Sequence, residues 1–132
     1  MDREKLLRRY AAGERDFSGV NLSGCNLTDA DLTGADLSGC NLTGADLTGA
    51  DLSGCNLTGA DLTCSKLRGV KLIGCKFNGT NLLEVEWRTT DLTNVNLTGA
   101  VNFYSGLLEN VLVCNTIMPD GNIIDERIYW EA

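Results

Sequence analysis

Across residues 16–98 every fifth position is large and apolar. This beat begins at Phe17, runs through fourteen leucines, and carries an aromatic ring at Phe77 and Trp87. Two residues before most of these centres stands something small, as at Cys25, Ala30, Ala35, Cys40, Ala45, Ala50, Cys55 and Ala60. The other three positions hold a polar residue, commonly a hydroxyl residue, and, in twelve of the seventeen pentads, a glycine two places after the centre. A period of five matches neither the 3.6 of a helix nor the 2 of a long strand. It does match a short extended piece followed by a corner. Residues two apart on an extended backbone share a side, so the centre and the small residue both point inward. The glycine supplies the positive φ of a type II turn. The pattern therefore predicts a chain wound into coils that stack through backbone hydrogen bonds.

The two ends read differently. Residues 2–12 predict a helix: Asp2 is placed to cap it, Leu6 and Tyr10 lie one turn apart, as do Leu7 and Ala11, and Gly13 marks its stop. So short a helix needs something to pack on, and the exposed end of the coil stack is the nearest surface. After Ala100 the frame slips by one residue, near 100–101. Phe103, Leu108, Val113 and Met118 then carry the beat, with Val101, Gly106, Val111 and Thr116 in the small slot. A bulge or wider corner absorbs such an insertion. Pro119-Asp120-Gly121 predicts a terminating turn, and the apolar tail with Ile123, Ile124, Ile128, Tyr129 and Trp130 predicts a cover for the open coil edge, or a dimer contact. Three segments result: an N-terminal capping helix at 1–14, the repeat at 15–118, and a C-terminal cap at 119–132.

Tandem copies of Ala-Asp-Leu-Thr-Gly, as at 45–49, and Cys-Asn-Leu-Thr-Gly, as at 40–44 and 55–59, resemble the pentapeptide-repeat family, abundant in cyanobacteria, whose signature reads A(D/N)LXX. The resemblance spans 15–99. It implies an all-β, right-handed, four-sided β-helix with four pentads per coil, about five coils here and a rod about 25 Å long. Four sides would stack residues twenty apart. That register creates opposite-charge neighbours in Asp46–Lys66–Glu86 and Asp51–Lys71–Asp91, against like-charge neighbours only in Asp16–Asp36 and Asp31–Asp51. A fifteen-residue register doubles the like-charge pairs, which destabilise adjacent strands.

Residues 64–95 depart from the pattern. Cys64, Glu84, Thr89 and Asn94 replace the corner glycine. Of these only Asn readily takes the left-handed conformation, which predicts a different turn at some of these corners. Lys66, Lys71 and Lys76 replace Asp or Asn on three consecutive sides, and Arg68, Ile73, Leu83 and Arg88 stand where Ser or Thr is usual. Lys66, Arg68, Lys71, Ile73, Lys76, Leu83, Glu84 and Arg88 are thus the candidate interaction surface. The plainer reading is charge balance within the columns, with scattered surface apolar residues.

A net charge of −7 without histidine argues against direct nucleic-acid binding. No apolar run is long enough for a membrane span, and the expectation is a cytoplasmic protein whose six cysteines are reduced thiols. Cys25, Cys40, Cys55 and Cys75 occupy the small slot as compact hydrophobes, whereas Cys64 and Cys114 fall in outward slots. Carboxylates in regular outward columns do not converge as an acid–base pair or a closed oxygen cage, so neither an enzyme nor a cofactor is expected. The chain reads as a non-catalytic structural or protein-interaction module with an unidentified protein partner, monomeric or dimerised end to end through its C-terminal end. Through the resemblance, a DNA-mimicking inhibitor of DNA gyrase is the alternative. Against it stand the short rod and the lysine belt, which interrupts the negative surface. A cation-binding protein is the third reading.

Overall fold

The structure, a computed structural model, describes residues 1–130. Each centre from Phe17 to Leu97 is at most 2% exposed, and burying each such side chain contributes about 1.5–3 kcal/mol. The coils stack through parallel bridges between residues twenty apart, as in Asn21↔Asn41, Asn26↔Asp46, Asp31↔Asp51 and Asp36↔Asn56. Four pentads therefore make one coil and define four faces. Their centres begin at Phe17 on the first face, Leu22 on the second, Leu27 on the third and Leu32 on the fourth. A typical rung has Leu47 N–H donating to the Lys66 carbonyl at 2.8 Å and Lys66 N–H donating to the Ala45 carbonyl at 3.0 Å.

Each corner closes on itself. At the 47–50 corner, Ala50 N–H donates to the Leu47 carbonyl at 2.9 Å around Gly49, whose φ is 70°. The corners at Cys64, Glu84, Thr89 and Asn94 take the same left-handed geometry, with φ of 58°, 53°, 56° and 62°, and so does Asp29 at 59°. The expectation of a different turn at these corners is therefore corrected. Stacking on neighbouring coils fixes the corner, and the residue there accepts the strain.

The polar residue before each centre has a local task. Asp46 Oδ1 accepts from Thr48 N–H at 3.0 Å and from the Thr48 hydroxyl at 2.6 Å. The same pair recurs at Asp16/Ser18, Asp31/Thr33, Asp36/Ser38 and Asp61/Thr63. These are Asx turns, in which a short side chain satisfies the backbone two residues on. Within the small slot, thiols and hydroxyls donate inside the stack. Cys40, Cys55 and Cys75 donate to the carbonyls of Phe17, Leu32 and Leu52, and Thr80 and Thr90 to those of Leu57 and Leu67.

The frame slip falls just after the predicted place. Val101 is 45% exposed and bridges Asn81 at the regular spacing, while Ala100 is buried in the small slot. Val101 thus takes the outward position, not the inward one. The extra residue is Asn102, in left-handed conformation at φ 62°, which leads into a 3-10 turn over Phe103–Ser105. Beyond it bridges join residues twenty-one apart, as in Glu86↔Leu107, Asp91↔Leu112 and Asn96↔Ile117. Gly106 fits because a Cβ there would lie 2.6 Å from the Val85 carbonyl oxygen and 2.8 Å from the Trp87 ring.

Helix α1 (Arg3–Ala11) begins at Asp2, whose side chain accepts from Lys5 N–H at 2.8 Å. It covers the end of the stack whose carbonyls have no coil beneath them. Arg3 donates to the Asn26 and Thr28 carbonyls at 3.1 and 2.9 Å, the Met1 amine to that of Asn21 at 3.1 Å, and the Tyr10 hydroxyl to that of Thr33 at 2.7 Å. Leu6 is fully buried against the core. At the other end β1 (Val111–Val113) and β2 (Thr116–Ile117) belong to the last coil. The tail returns as β3 (Ile123–Ile124), antiparallel to β2, and β4 (Ile128–Trp130), antiparallel to β1. Residues 131–132 of the predicted C-terminal segment lie outside the described residues.

Candidate interaction surface

The eight candidate residues are all exposed and lie on four different faces. Lys66, Arg68 and Arg88 stand on the third face, Lys71 and Ile73 on the fourth, Lys76 on the first, and Leu83 with Glu84 on the second. The structure brings together only some of them. Arg68 and Arg88 occupy successive coils of one column; Arg88 approaches Glu109 at 3.4 Å and Glu86 at 4.0 Å, while Arg68 Nε donates to the Thr89 hydroxyl at 3.3 Å. Exposed surface pairs of this kind contribute little to stability. Glu84 accepts from the Cys64 thiol at 3.5 Å, and its N–H donates to the Ser105 hydroxyl at 3.0 Å. Lys66 bridges both Asp46 and Glu86, so its column alternates in sign as anticipated.

The Lys71 column does not complete in the same way. Lys71 bridges Asp51 below but not Asp91 above, and Lys76 bridges Asn56 but not Asn96. The register calls for hydrogen bonds from the N–H groups of Gly69, Leu72, Gly74 and Phe77 to the carbonyls of Arg88, Asp91, Thr93 and Asn96. It also calls for bonds from the Asp91 and Asn96 N–H groups to the Val70 and Cys75 carbonyls. Among the described residues none of the six forms. On the second face of the same two coils, and on the third as far as Leu67, the ladder is intact, with Leu62 N–H to the Asn81 carbonyl and Leu67 N–H to the Glu86 carbonyl both at 2.9 Å.

An open seam thus runs from the third-face corner at Gly69 along the fourth and first faces, and closes at Gly79, whose N–H donates to the Gly99 carbonyl at 2.9 Å. Two grooves lie in it: one of about 440 Å³ beside Lys71, Ile73, Thr89, Asp91 and Thr93, and one of about 420 Å³ beside Lys76, Asn78, Asn96 and Thr98. The seam falls between the coils whose centres include Phe77 and Trp87, 2% and 0% exposed. Rings in place of Leu occupy more of the interior, and overfilling a packed core displaces backbone. The indole N–H of Trp87 is itself buried without a partner among the described residues. Sequence reasoning marked Lys71, Ile73 and Lys76 but not the seam. At 71/73 and 76/78 the Asx acceptor and its Ser or Thr partner are lost together, but so they are at 66/68, where Lys66 still bridges Glu86, so the sequence carries no signal that singles out the seam.

A pentapeptide-repeat model matches in eight copies over residues 16–49, 40–79 and 71–101. The chain belongs to the pentapeptide-repeat family. Among solved structures it is similar to a pentapeptide-repeat protein of the Arabidopsis thaliana thylakoid lumen, AT2G44920, at 25% identity over 83% of this chain and 71% of that one, with a TM-score of 0.58. It is likewise similar to the pentapeptide-repeat protein Rfr23 of the cyanobacterium Cyanothece 51142, at 27% identity over 87% of this chain and 98% of that one, with a TM-score of 0.52. A weaker match is QnrB1, a plasmid-mediated fluoroquinolone resistance protein, at 19% identity over 76% of this chain and 65% of that one; its TM-score of 0.38 carries no functional argument. Comparison with curated protein sequences finds no match. No helix among the described residues is long and apolar enough to cross a membrane.

Proposed function

We propose that this pentapeptide-repeat protein is a non-catalytic module that acts by presenting its outer faces to a protein partner. The observation that carries this reading is how its carboxylates are used. Asp16, Asp31 and Asp46 are held below the ordinary carboxylate range chiefly by hydroxyl donation from Ser18, Thr33 and Thr48, with backbone N–H donation second. They are turn acceptors, each occupied by its own neighbours, and not a converging acid–base pair. The interior is filled by the centres and the small-slot residues, which leaves variation on the outside as the means of recognition. In this reading residues 15–118 form a right-handed, quadrilateral β-helix capped by 1–14 and 119–132, working in a reducing compartment, as a monomer or joined end to end through the C-terminal end.

Cross-linking and affinity capture from the native extract test the reading. The wild type should retain a stoichiometric protein cross-linked to outward residues, and the Arg68/Ile73/Leu83/Arg88 alanine variant should lose it. A purified protein carrying a stoichiometric metal ion, with no protein retained, would refute it. Against the gyrase reading stand Lys66, Lys71 and Lys76, all exposed across three faces, where a phosphate-like track needs continuous negative charge. A supercoiling assay is expected to show no inhibition at micromolar protein.

A further inference from the structure

We propose that the seam between the coils of residues 66–80 and 86–98 is a docking slot for an extended, acidic peptide segment of a partner protein, which adds a strand between the two lips. The proposal rests on the interaction reading and names the surface that performs it.

Three observations define the occupant. The first is the pattern of free backbone groups. On the fourth face the lower lip offers the Leu72 and Gly74 N–H groups and the Val70 carbonyl; the upper lip offers the Asp91 and Thr93 carbonyls and the Asp91 N–H. The lower lip thus carries an acceptor followed by two donors and the upper lip a donor followed by two acceptors, unpaired β-edge groups of the kind an added strand recognises. The rest of the stack shows that this spacing closes wherever the coils meet; Val70 and Leu72 are 3% and 1% exposed, so their groups are reached only as the lips part. The second is space and an anchor. A groove of about 440 Å³ lies within the ~300–1,000 Å³ of ordinary ligand sites, and Ile73, 57% exposed, forms an apolar wall for one side chain. The third is charge. Lys71 lies between Asp51 below and Asp91 across the seam, while Lys76 stands between Asn56 and Asn96 and gives the strip its positive charge, on a chain of net charge −7. Carboxylates on the peptide complement it.

The chain's own tail is not this strand, because β3 and β4 pair with β2 and β1 at the far end. A strand sits about 4.8 Å from each neighbour, so full insertion tilts the upper coils about the closed rungs of the second face and of the third up to Leu67.

The test uses the full-length, ¹⁵N-labelled protein titrated with the peptide acetyl-Thr-Val-Glu-Val-Glu-Thr-amide and with its lysine counterpart. The expected result is saturable shifts at the amides of Leu72, Gly74, Phe77, Asp91 and Asn96. In the free protein these amides should exchange at least tenfold faster than those of Leu67 and Leu82, and they should gain protection when the glutamate peptide binds. The lysine peptide should bind at least tenfold more weakly, and Lys71→Glu/Lys76→Glu should reverse that preference. Seam amides as protected in the free protein as Leu67 and Leu82, no shift at millimolar peptide, equal binding of the two peptides, or shifts confined to the C-terminal end would each overturn the proposal. Ile73→Asp, at an exposed position, separates it from the reading beneath it. A partner captured equally by wild type and Ile73→Asp refutes the seam and leaves the interaction module standing, whereas no peptide binding and no captured partner refutes both.

Discussion

Thr89 holds a corner that other coils give to glycine, at φ 56° with a β-branched side chain. The left-handed region costs a non-glycine residue roughly 1–2 kcal/mol. Thr89→Gly removes that strain but gives the unfolded chain more freedom, a loss of about 0.4–1 kcal/mol. The hydroxyl's contacts, to the Arg88 carbonyl at 2.7 Å and from Arg68 Nε at 3.3 Å, are both exposed and offset little. The net expectation is a stabilisation of about 0.5–1 kcal/mol. With an m-value of about 2 kcal/mol/M in urea, the unfolding midpoint should rise by about 0.25–0.5 M at unchanged m. The reciprocal change is Gly44→Thr, at φ 67° where an added Cβ meets nothing within 4 Å. It should lower the midpoint by a similar amount, since conformation and not crowding is then the only cost. A lower midpoint for Thr89→Gly, or no change in either variant, would refute the account of these corners as strained by their stacking.

The remaining predictions concern packing, protonation and thiol access. Gly106→Ala should destabilise by about 1–3 kcal/mol in the same urea assay, because its Cβ would meet the Val85 carbonyl and the Trp87 ring. Asp16, Asp31 and Asp46 have folded pKa values below the ordinary 3.8, so their contribution is fully present above that value and lost as pH falls through the folded ones. Thermal midpoints followed downward from about pH 6 should stay level until about pH 4 and then fall, more shallowly in the triple Asp→Asn variant, whose amides still accept the turn hydrogen bonds. Burial pushes the Cys55 and Cys75 thiols up to about 12, while Cys64 is exposed. Native-state alkylation read by mass spectrometry should modify Cys64 and spare Cys40, Cys55 and Cys75 until the protein unfolds; early labelling of Cys55 would contradict the packing described.

The repeat made the interior legible because inwardness follows from local periodicity. Leu22 to Leu97 and the alanine and cysteine slots could be placed from spacing alone, while the twenty-residue register came from the family resemblance and was favoured by the charge columns. What escaped depends on contacts between coils. Glu84 and Thr89 adopt a conformation that their own preferences oppose, because coils above and below impose it. Val101 was given the inward slot because Phe103 follows two residues later, but Ala100 keeps the inward place and Asn102 absorbs the extra residue. The partner of Asp46 was missed although Thr48 stands two residues on, in the spacing of an Asx turn. The seam was missed for a different reason. Lys71 and Asp91 satisfy the charge rule twenty residues apart, yet the rung between them stays open, which spacing along the chain does not reveal.

Four pentads to the coil means that one pentad is a quarter turn. Deleting or duplicating five residues would return every Leu and every alanine to an equivalent inward site, so the core would barely register the event. The outside would be transformed. Every column above the edit would rotate by one face, and Lys66, which bridges Asp46 and Glu86, would meet a different neighbour. A lineage of such proteins can therefore reshuffle its surface in steps of five at small cost to folding, while only steps of twenty preserve the surface as it was.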